Sequence, residues 1–234
     1  MIIVSVIPAR GKSKSIPKKN IYPLNGVPLI KYSIDYSLKS KLISHTFVST
    51  DSKEIGDLSI KFGAQYLERP EELSEDHVRD FPVIHHALLN LEKKLNLKID
   101  IIILLRPTSP LRPANLIERG IDLINLYPES TSVRAVMKSK EHPYRQWKKN
   151  SIFIEPFYGK KNINVKEPYN IPRQELTESY FQTGDIEIMR RETIIKGSVS
   201  GDKILPIYIN QNEVHDIDEN VDIVNAEAYI KKND

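Results

Sequence analysis

Ile2-Ile3-Val4-Ser5-Val6-Ile7-Pro8-Ala9-Arg10-Gly11-Lys12-Ser13-Lys14-Ser15-Ile16-Pro17-Lys18-Lys19-Asn20 is the stretch on which the reading of the fold turns. Its first part is an apolar run of the kind that forms a strand buried on both faces. Its second part holds five cations, Arg10, Lys12, Lys14, Lys18 and Lys19, among Gly, Ser and Pro. A strand that feeds directly into a basic, turn-prone loop leaves backbone N–H groups and cations free to hold a polyanion. This predicts a nucleoside triphosphate site at the start of the chain. Gly11-Lys12-Ser13 looks like the end of a P-loop, but that pattern needs a second Gly five positions earlier, where Val6 stands, so the P-loop reading fails. The plain alternative for residues 10–20 is a solvated basic loop.

Outward from this stretch, apolar runs alternate with helical patterns. Residues 46–50 and 64–67 read as short strands, and residues 99–105, the most apolar segment, as a central buried strand. Residues 29–38, 52–62, 81–95 and 116–126 read as helices, the second with an N-cap at Asp51 or Ser52. A strand follows at 131–137. Strands that alternate with crossover helices predict a doubly wound, mostly parallel α/β sheet within a single domain, residues 1–234. The pattern breaks at about residues 139–180, which are polar, Pro-punctuated and rich in Lys, Asn and Tyr, and read as an inserted flap or association element. Strand patterns return at 184–189 and 203–209, and a helix at 221–230 follows.

Ligands of such sheets sit beyond the carboxyl ends of the strands. Arg10, Asp51 and the loop Arg106-Pro107-Thr108-Ser109-Pro110-Leu111-Arg112 each follow a strand, and Asp216 and Asp218 follow the last one. Two prolines stiffen the 106–112 loop, whose arginines and hydroxyls suit substrate positioning; a helix-capping turn is the alternative. Asp216-Ile217-Asp218, if extended, points both carboxylates to one face, where they can hold Mg²⁺, or else they cap the helix that follows. His85-His86 reads as core or surface histidine. Trp147, Tyr144, Tyr158, Tyr169 and Tyr180 suit a sugar pocket or a subunit interface.

The 234 residues are 40% hydrophobic and 28% charged, as in ordinary globular proteins. A net charge of +3 is too mild to argue for nucleic acid. With no Cys, disulfides, thiol catalysis and zinc–thiolate sites are excluded. The first strand lacks the charged and long apolar regions of a secretory leader, and no run approaches a membrane span, so the expected compartment is the cytoplasm.

Taken in order, Pro8-Ala9-Arg10-Gly11 through Pro17-Lys18-Lys19-Asn20, Val48-Ser49-Thr50-Asp51, Arg69-Pro70, Pro107 to Arg112, Pro172-Arg173-Gln174 and Asp216-Ile217-Asp218 resemble the CMP-sialic acid synthetase family (acylneuraminate cytidylyltransferases) over nearly the whole chain. The resemblance implies transfer of CMP from CTP to a 3-deoxy-2-keto sugar acid, with Mg²⁺ and release of pyrophosphate. It gives Arg10, Gly11, Ser13, Lys14 and Asn20 to the triphosphate and Arg69 and Asp80 to the cytosine pocket. It places Lys19 near the reacting phosphates and makes Asp216 and Asp218 the metal ligands. It puts Arg173 on the sugar carboxylate, with Gln174, Arg106 and Ser109 around the sugar. It also implies a homodimer in which residues 139–180 reach toward the partner.

Several positions depart from the family pattern. Lys12 and Ser15 replace glycines, so the loop is expected to curve differently. Arg106 stands where many of these enzymes have Gln. Tyr180-Phe181-Gln182-Thr183-Gly184-Asp185 replaces a stretch of the form F-R-P-N-G-A, with loss of an Arg and an Asn. These changes cluster where sugar and nucleotide meet, so a nonulosonic acid other than N-acetylneuraminate is the expected substrate. A cytidylyltransferase for the eight-carbon acid Kdo, a hexose-1-phosphate nucleotidyltransferase and a non-catalytic nucleotide-binding homologue are the competing readings.

Overall fold

The computed structural model describes residues 1–158 and 166–233. In chain order its strands are β1 (Ile3–Pro8), β2 (Pro23–Leu24), β3 (Val27–Pro28), β4 (His45–Thr50), β5 (Gln65–Glu68), β6 (Ile101–Leu104), β7 (Ser132–Lys138), β8 (Trp147–Asn150), β9 (Phe153–Pro156), β10 (Tyr180–Arg190) and β11 (Ile204–Tyr208). Its α-helices are α1 (Leu29–Lys39), α2 (Lys53–Lys61), α3 (Asp80–Leu95), α4 (Leu116–Leu126), α5 (Arg191–Ile195) and α6 (Asn220–Asn233).

Seven strands form one sheet in the order β11-β7-β10-β6-β1-β4-β5. All neighbouring pairs are parallel except those made by β10, which runs antiparallel to both β6 and β7. This is the mostly parallel α/β sheet expected from the alternation of patterns. The side-chain period of two sorts β1 and β6 between two cores. Ile3, Ile7, Ile101 and Ile103 meet Ile30 and Ile34 of α1 and Ile117 and Ile121 of α4 on one face. Val4, Val6, Ile102 and Leu104 meet Ile84, Leu88 and Leu91 of α3 on the other.

β10 starts earlier than its apolar pattern. Residues 180–182 already pair with 136–138, and the register shifts between Gln182 and Glu187. Thr183, Gly184 and Asp185 lie in that irregularity, which turns the strand where it passes the carboxyl end of β6. In the segment expected to leave the sheet, β8 and β9 form a separate antiparallel hairpin. Residues 159–165 of that segment lie outside the described residues. Among the described residues no helix is long and apolar enough to cross a membrane.

A third apolar cluster fixes the functional region. Ile16, in the middle of the basic loop, is buried with Leu24, Leu29, Ile217, Ile223 and Ala226. It pins the loop after β1 to the Asp216–Asp218 segment and to α6, although these lie some two hundred residues apart in sequence.

Candidate active site

The loop after β1 takes a fixed shape for identifiable reasons. The Gly11 N–H donates to Asp51 Oδ1 at 2.9 Å. A Cβ on Gly11 would stand 2.9 Å from Ser52 Cβ, so only glycine lets the loop lie this close to the turn after β4. Asn20 Nδ2 donates to the Arg10 carbonyl at 2.8 Å and closes the loop from its far end. The replacements Lys12 and Ser15 demand no glycine-like backbone, since the left-handed residue of this loop is Lys18, at φ 52°. The expected change in curvature therefore has no source in these two residues' backbone angles. Ser52, not Asp51, caps α2, accepting from Ile55 N–H. Asp51 is thereby free to hold Gly11.

Arg10, Lys12, Ser13, Lys14, Lys19 and Asn20 face a cleft of about 500 Å³ at the carboxyl ends of β1 and β6. The far wall comes from the segment between β5 and α3, and it is acidic. Asp76 pairs with both Arg10 and Lys14 at 2.5 Å, and Glu71 pairs with Lys12 at 3.0 Å. The Lys14 hydrogen bond, with help from Arg10, holds the Asp76 carboxyl below its ordinary range. Arg69 also reaches the cleft, with its side chain 4% exposed. Its Nε donates to Ser74 Oγ at 2.9 Å, and its Nη2 lies 3.8 Å from Asp51 Oδ1. Burial lowers its pKa, an effect opposed by Asp51.

The Asp216–Asp218 segment lies between the 3₁₀ turn at Gln211–Glu213 and α6, outside any strand. Ile217 is buried, and its N–H donates to the Thr108 carbonyl at 2.8 Å. Lys19 Nζ donates to Asp218 Oδ1 and to the Ile217 carbonyl, both at 3.1 Å. Asp222 accepts the N–H groups of Asp218 and Glu219 at 2.9 and 2.7 Å. The capping role thus falls to Asp222, which leaves the Asp218 carboxylate at the cleft. Asp216 is exposed, yet the protein around it raises its carboxyl above the ordinary value. Thr108's hydroxyl counters that by hydrogen bonding, and the Asp218 charge adds to it.

Arg106 and Asp80 meet at the cleft between these parts, with Arg106 Nη2 2.6 Å from Asp80 Oδ2. Asp80 is therefore engaged by Arg106. The second arginine of that loop, Arg112, is structural. It is buried and donates to the carbonyls of Asp185 and Arg106 and to Ser33 Oγ, and burial pushes its pKa down to about 10.

Three residues assigned to the sugar lie elsewhere. Ser109 is 2% exposed under the cleft floor, 2.7 Å from where a Cβ on Gly184 would stand. Thr108, its neighbour, lines the cleft instead. Arg173 lines a separate cavity of about 270 Å³ with Lys138, His142 and Arg145, and Gln174 is exposed beside it. Arg173 and Gln174 sit in a 3₁₀ turn of the segment expected to reach toward a partner copy, so their distance from their own chain's cleft does not bear on a role at the sugar.

Sequence reasoning missed Glu187 and Arg134. Glu187 is 1% exposed, and its carboxylate lies 2.7 Å from Arg106 Nη1 and 2.8 Å from Arg134 Nη2. A carboxylate between Ile186 and Ile188 and an arginine between Val133 and Ala135 were the available signal, because buried charges are kept paired.

A family model described as "Cytidylyltransferase" matches residues 4–199. The chain is 29% identical over 232 residues to "Post-translational flagellin modification protein B" of Campylobacter coli, covering 98% of this chain and 95% of that one. It is 30% identical to "CMP-N,N'-diacetyllegionaminic acid synthase" of Campylobacter jejuni, covering 97% of this chain and 94% of that one. Among solved structures, CMP:2-keto-3-deoxy-manno-octonic acid synthetase complexed with CTP superposes with a TM-score of 0.73 at 15% identity, over 100% of both chains, a likeness of fold.

Proposed function

Because this chain belongs to the cytidylyltransferase family, we propose that it transfers CMP from CTP to the anomeric hydroxyl of a nonulosonic 3-deoxy-2-keto sugar acid, releasing pyrophosphate. The observation that carries this reading is the convergence of Arg10, Lys14 and Lys19 with Asp218 on one cleft, brought about by the shared burial of Ile16 and Ile217. The cations suit a triphosphate, and the aspartates suit a divalent ion that bridges it.

In the proposed reaction the hydroxyl gives up its proton to solvent as its oxygen forms a bond to the α-phosphorus. The bond from that phosphorus to the bridging oxygen breaks, and pyrophosphate leaves with the electron pair. Such transfers depend on charge neutralisation and in-line placement. Arg10 and Lys14 would take the phosphates in place of Asp76. Lys19, whose side chain is 14% exposed, would hold its charge at the edge of the aspartate pair.

The donor set fits Mg²⁺. Asp218 lines the cleft with Asp216 two residues before it, and among the described residues no group of three or more His, Asp or Glu side chains could hold a metal ion by itself. That is the arrangement expected when phosphate oxygens and water complete the shell. Asp216 and Asp218 would hold the ion, which when bound would neutralise charge on the triphosphate. We also infer a homodimer joined through the β8–β9 arm and a cytoplasmic location.

Pyrophosphate release tests the function. With CTP and Mg²⁺, a panel of N-acetylneuraminate, N,N'-diacetyllegionaminate and Kdo should give release with a nonulosonic acid and little with Kdo. Preference for Kdo would replace the sugar class. CTP binding without release for any acid would make the chain a non-catalytic homologue.

A further inference from the structure

Arg106 lines the cleft close to both Asp216 and Asp80. Its Cδ lies 3.8 Å from the Cβ position of Gly184, and Asp216 Oδ2 lies 3.6 Å from that same point. On its other side its Nη2 meets Asp80 at the first turn of α3. Arg106 therefore stands between the aspartate pair and the wall where Arg69 and Val83 also face the cleft.

Its position is enforced from behind. Glu187 is buried in β10 and takes Arg106 Nη1 on one oxygen and Arg134 Nη2 on the other. Arg134 is in turn tied to Gln182, and its Nη2 donates to Ser200 Oγ at 2.7 Å. The Arg106 carbonyl accepts from Ser33 Oγ at 3.1 Å and from Arg112. Glu187 is buried against two half-buried guanidinium groups, and Arg106 turns Nη2 to the cleft, where its present acceptor is the half-exposed Asp80 carboxylate. An arginine whose backbone and one amino group are both locked is preorganised to bind a planar anion with little ordering cost. The edge already holds a carboxylate, which shows what chemistry it takes.

The substrate class proposed above supplies the matching group. Its nucleophilic hydroxyl and its carboxylate share one carbon, so the carboxylate receptor has to lie within a few ångströms of the reacting phosphorus. Arg106 lines the same cleft as Lys19 and Asp218, as that condition requires, while Arg173 belongs to the segment inferred to reach toward a second copy and lines a cavity of its own within one chain. We propose that Arg106 is the receptor for the sugar acid's carboxylate, that Glu187 is the positioning residue behind it, and that Asp80 is an internal carboxylate displaced when the substrate binds. This inference rests on the proposed function.

The test is steady-state kinetics with CTP and the most active acid of the panel, alongside that acid's neutral methyl ester and calorimetric CTP binding. Arg106→Gln should raise the sugar-acid KM at least tenfold, leave CTP affinity within about twofold, and abolish the wild-type preference for acid over ester. Glu187→Gln should raise the sugar-acid KM several-fold with CTP affinity unchanged. Asp80→Asn, which removes the competing carboxylate, should lower the sugar-acid KM, a change that a merely structural role would not produce. An unchanged sugar-acid KM in Arg106→Gln, an acid-over-ester preference that survives it, or equal losses for CTP and sugar would overturn the assignment. Failure of every acid to release pyrophosphate would overturn the proposed function as well. Release with a flat Arg106→Gln response would overturn the receptor alone.

Discussion

At the scale of single residues, the cleft works by giving each charged group one job and relieving it of others. Asp222 takes the backbone N–H groups ahead of α6, and Asp218 is left for the cleft. Asp218→Asn removes one charge and keeps the shape and the contact with Lys19. We expect turnover to fall on the order of 10²-fold, the usual loss when one electrostatic contact of a transition state is removed. CTP affinity should change much less, because Arg10, Lys14 and Arg69 are untouched. Turnover near wild type at ordinary Mg²⁺, measured by pyrophosphate release, would take Asp218 out of the metal role. Residue identity singled this pair out, since alternation puts both carboxylates on one face wherever the segment is extended, and the structure brings Asp218 to the cleft. Ser109 was misread for the same kind of reason. Alternation could not tell which of two adjacent hydroxyls would face the cleft, and packing against Gly184 turned Ser109 inward and left Thr108 outside.

At the scale of elements, hydrophobic period located the helices and the parallel strands because each obeys one local rule. β10 obeys two. Its buried half, Ile186 to Met189, is apolar but for Glu187, while the exposed Tyr180 to Gln182 pair with the end of β7, where polarity carries no strand signal. The acidic wall was hidden for a different reason. Glu71 and Asp76 meet cations some sixty residues away in sequence, and nothing local marks that meeting. The wall has a functional consequence. Asp76 occupies Arg10 and Lys14 in the resting cleft, so a triphosphate must displace it. The pair is exposed enough that its exchange costs little. Asp76→Asn should therefore tighten CTP binding about threefold at low salt, with the gain shrinking as ionic strength rises. Calorimetric titration at two salt concentrations would show it. Weaker binding in the variant would mean that Asp76 helps hold the nucleotide or the loop in shape.

At the scale of the whole molecule, the two cores of the sheet and the cluster around Ile16 account for the buried apolar side chains, but not for the arm. Ile152, Phe153 and Ile154 of the β8–β9 hairpin are 87%, 71% and 64% exposed, and Phe157 and Tyr158 stand beside them. A two-stranded hairpin is marginal on its own in water, and a cluster of bare aromatic and branched side chains marks an association surface. The tyrosines of this segment pack partly on each other, Tyr144 against Tyr158 and Trp147 against Tyr169, which braces the hairpin from one side and leaves the Phe153 side open. A second copy of the chain, presenting the same patch across a two-fold axis, would cover it without any further partner, as the inferred homodimer requires. The double variant Phe153→Ser, Ile154→Ser lies away from the catalytic cleft and from both main cores, so the fold should persist while association fails. Light scattering should give twice the 26.9 kDa chain mass for the wild type and the single mass for the variant at micromolar concentration, with unchanged far-ultraviolet circular dichroism. A wild-type mass equal to one chain would refute the arm as a dimer contact, and an unchanged dimer in the variant would move the interface to another face.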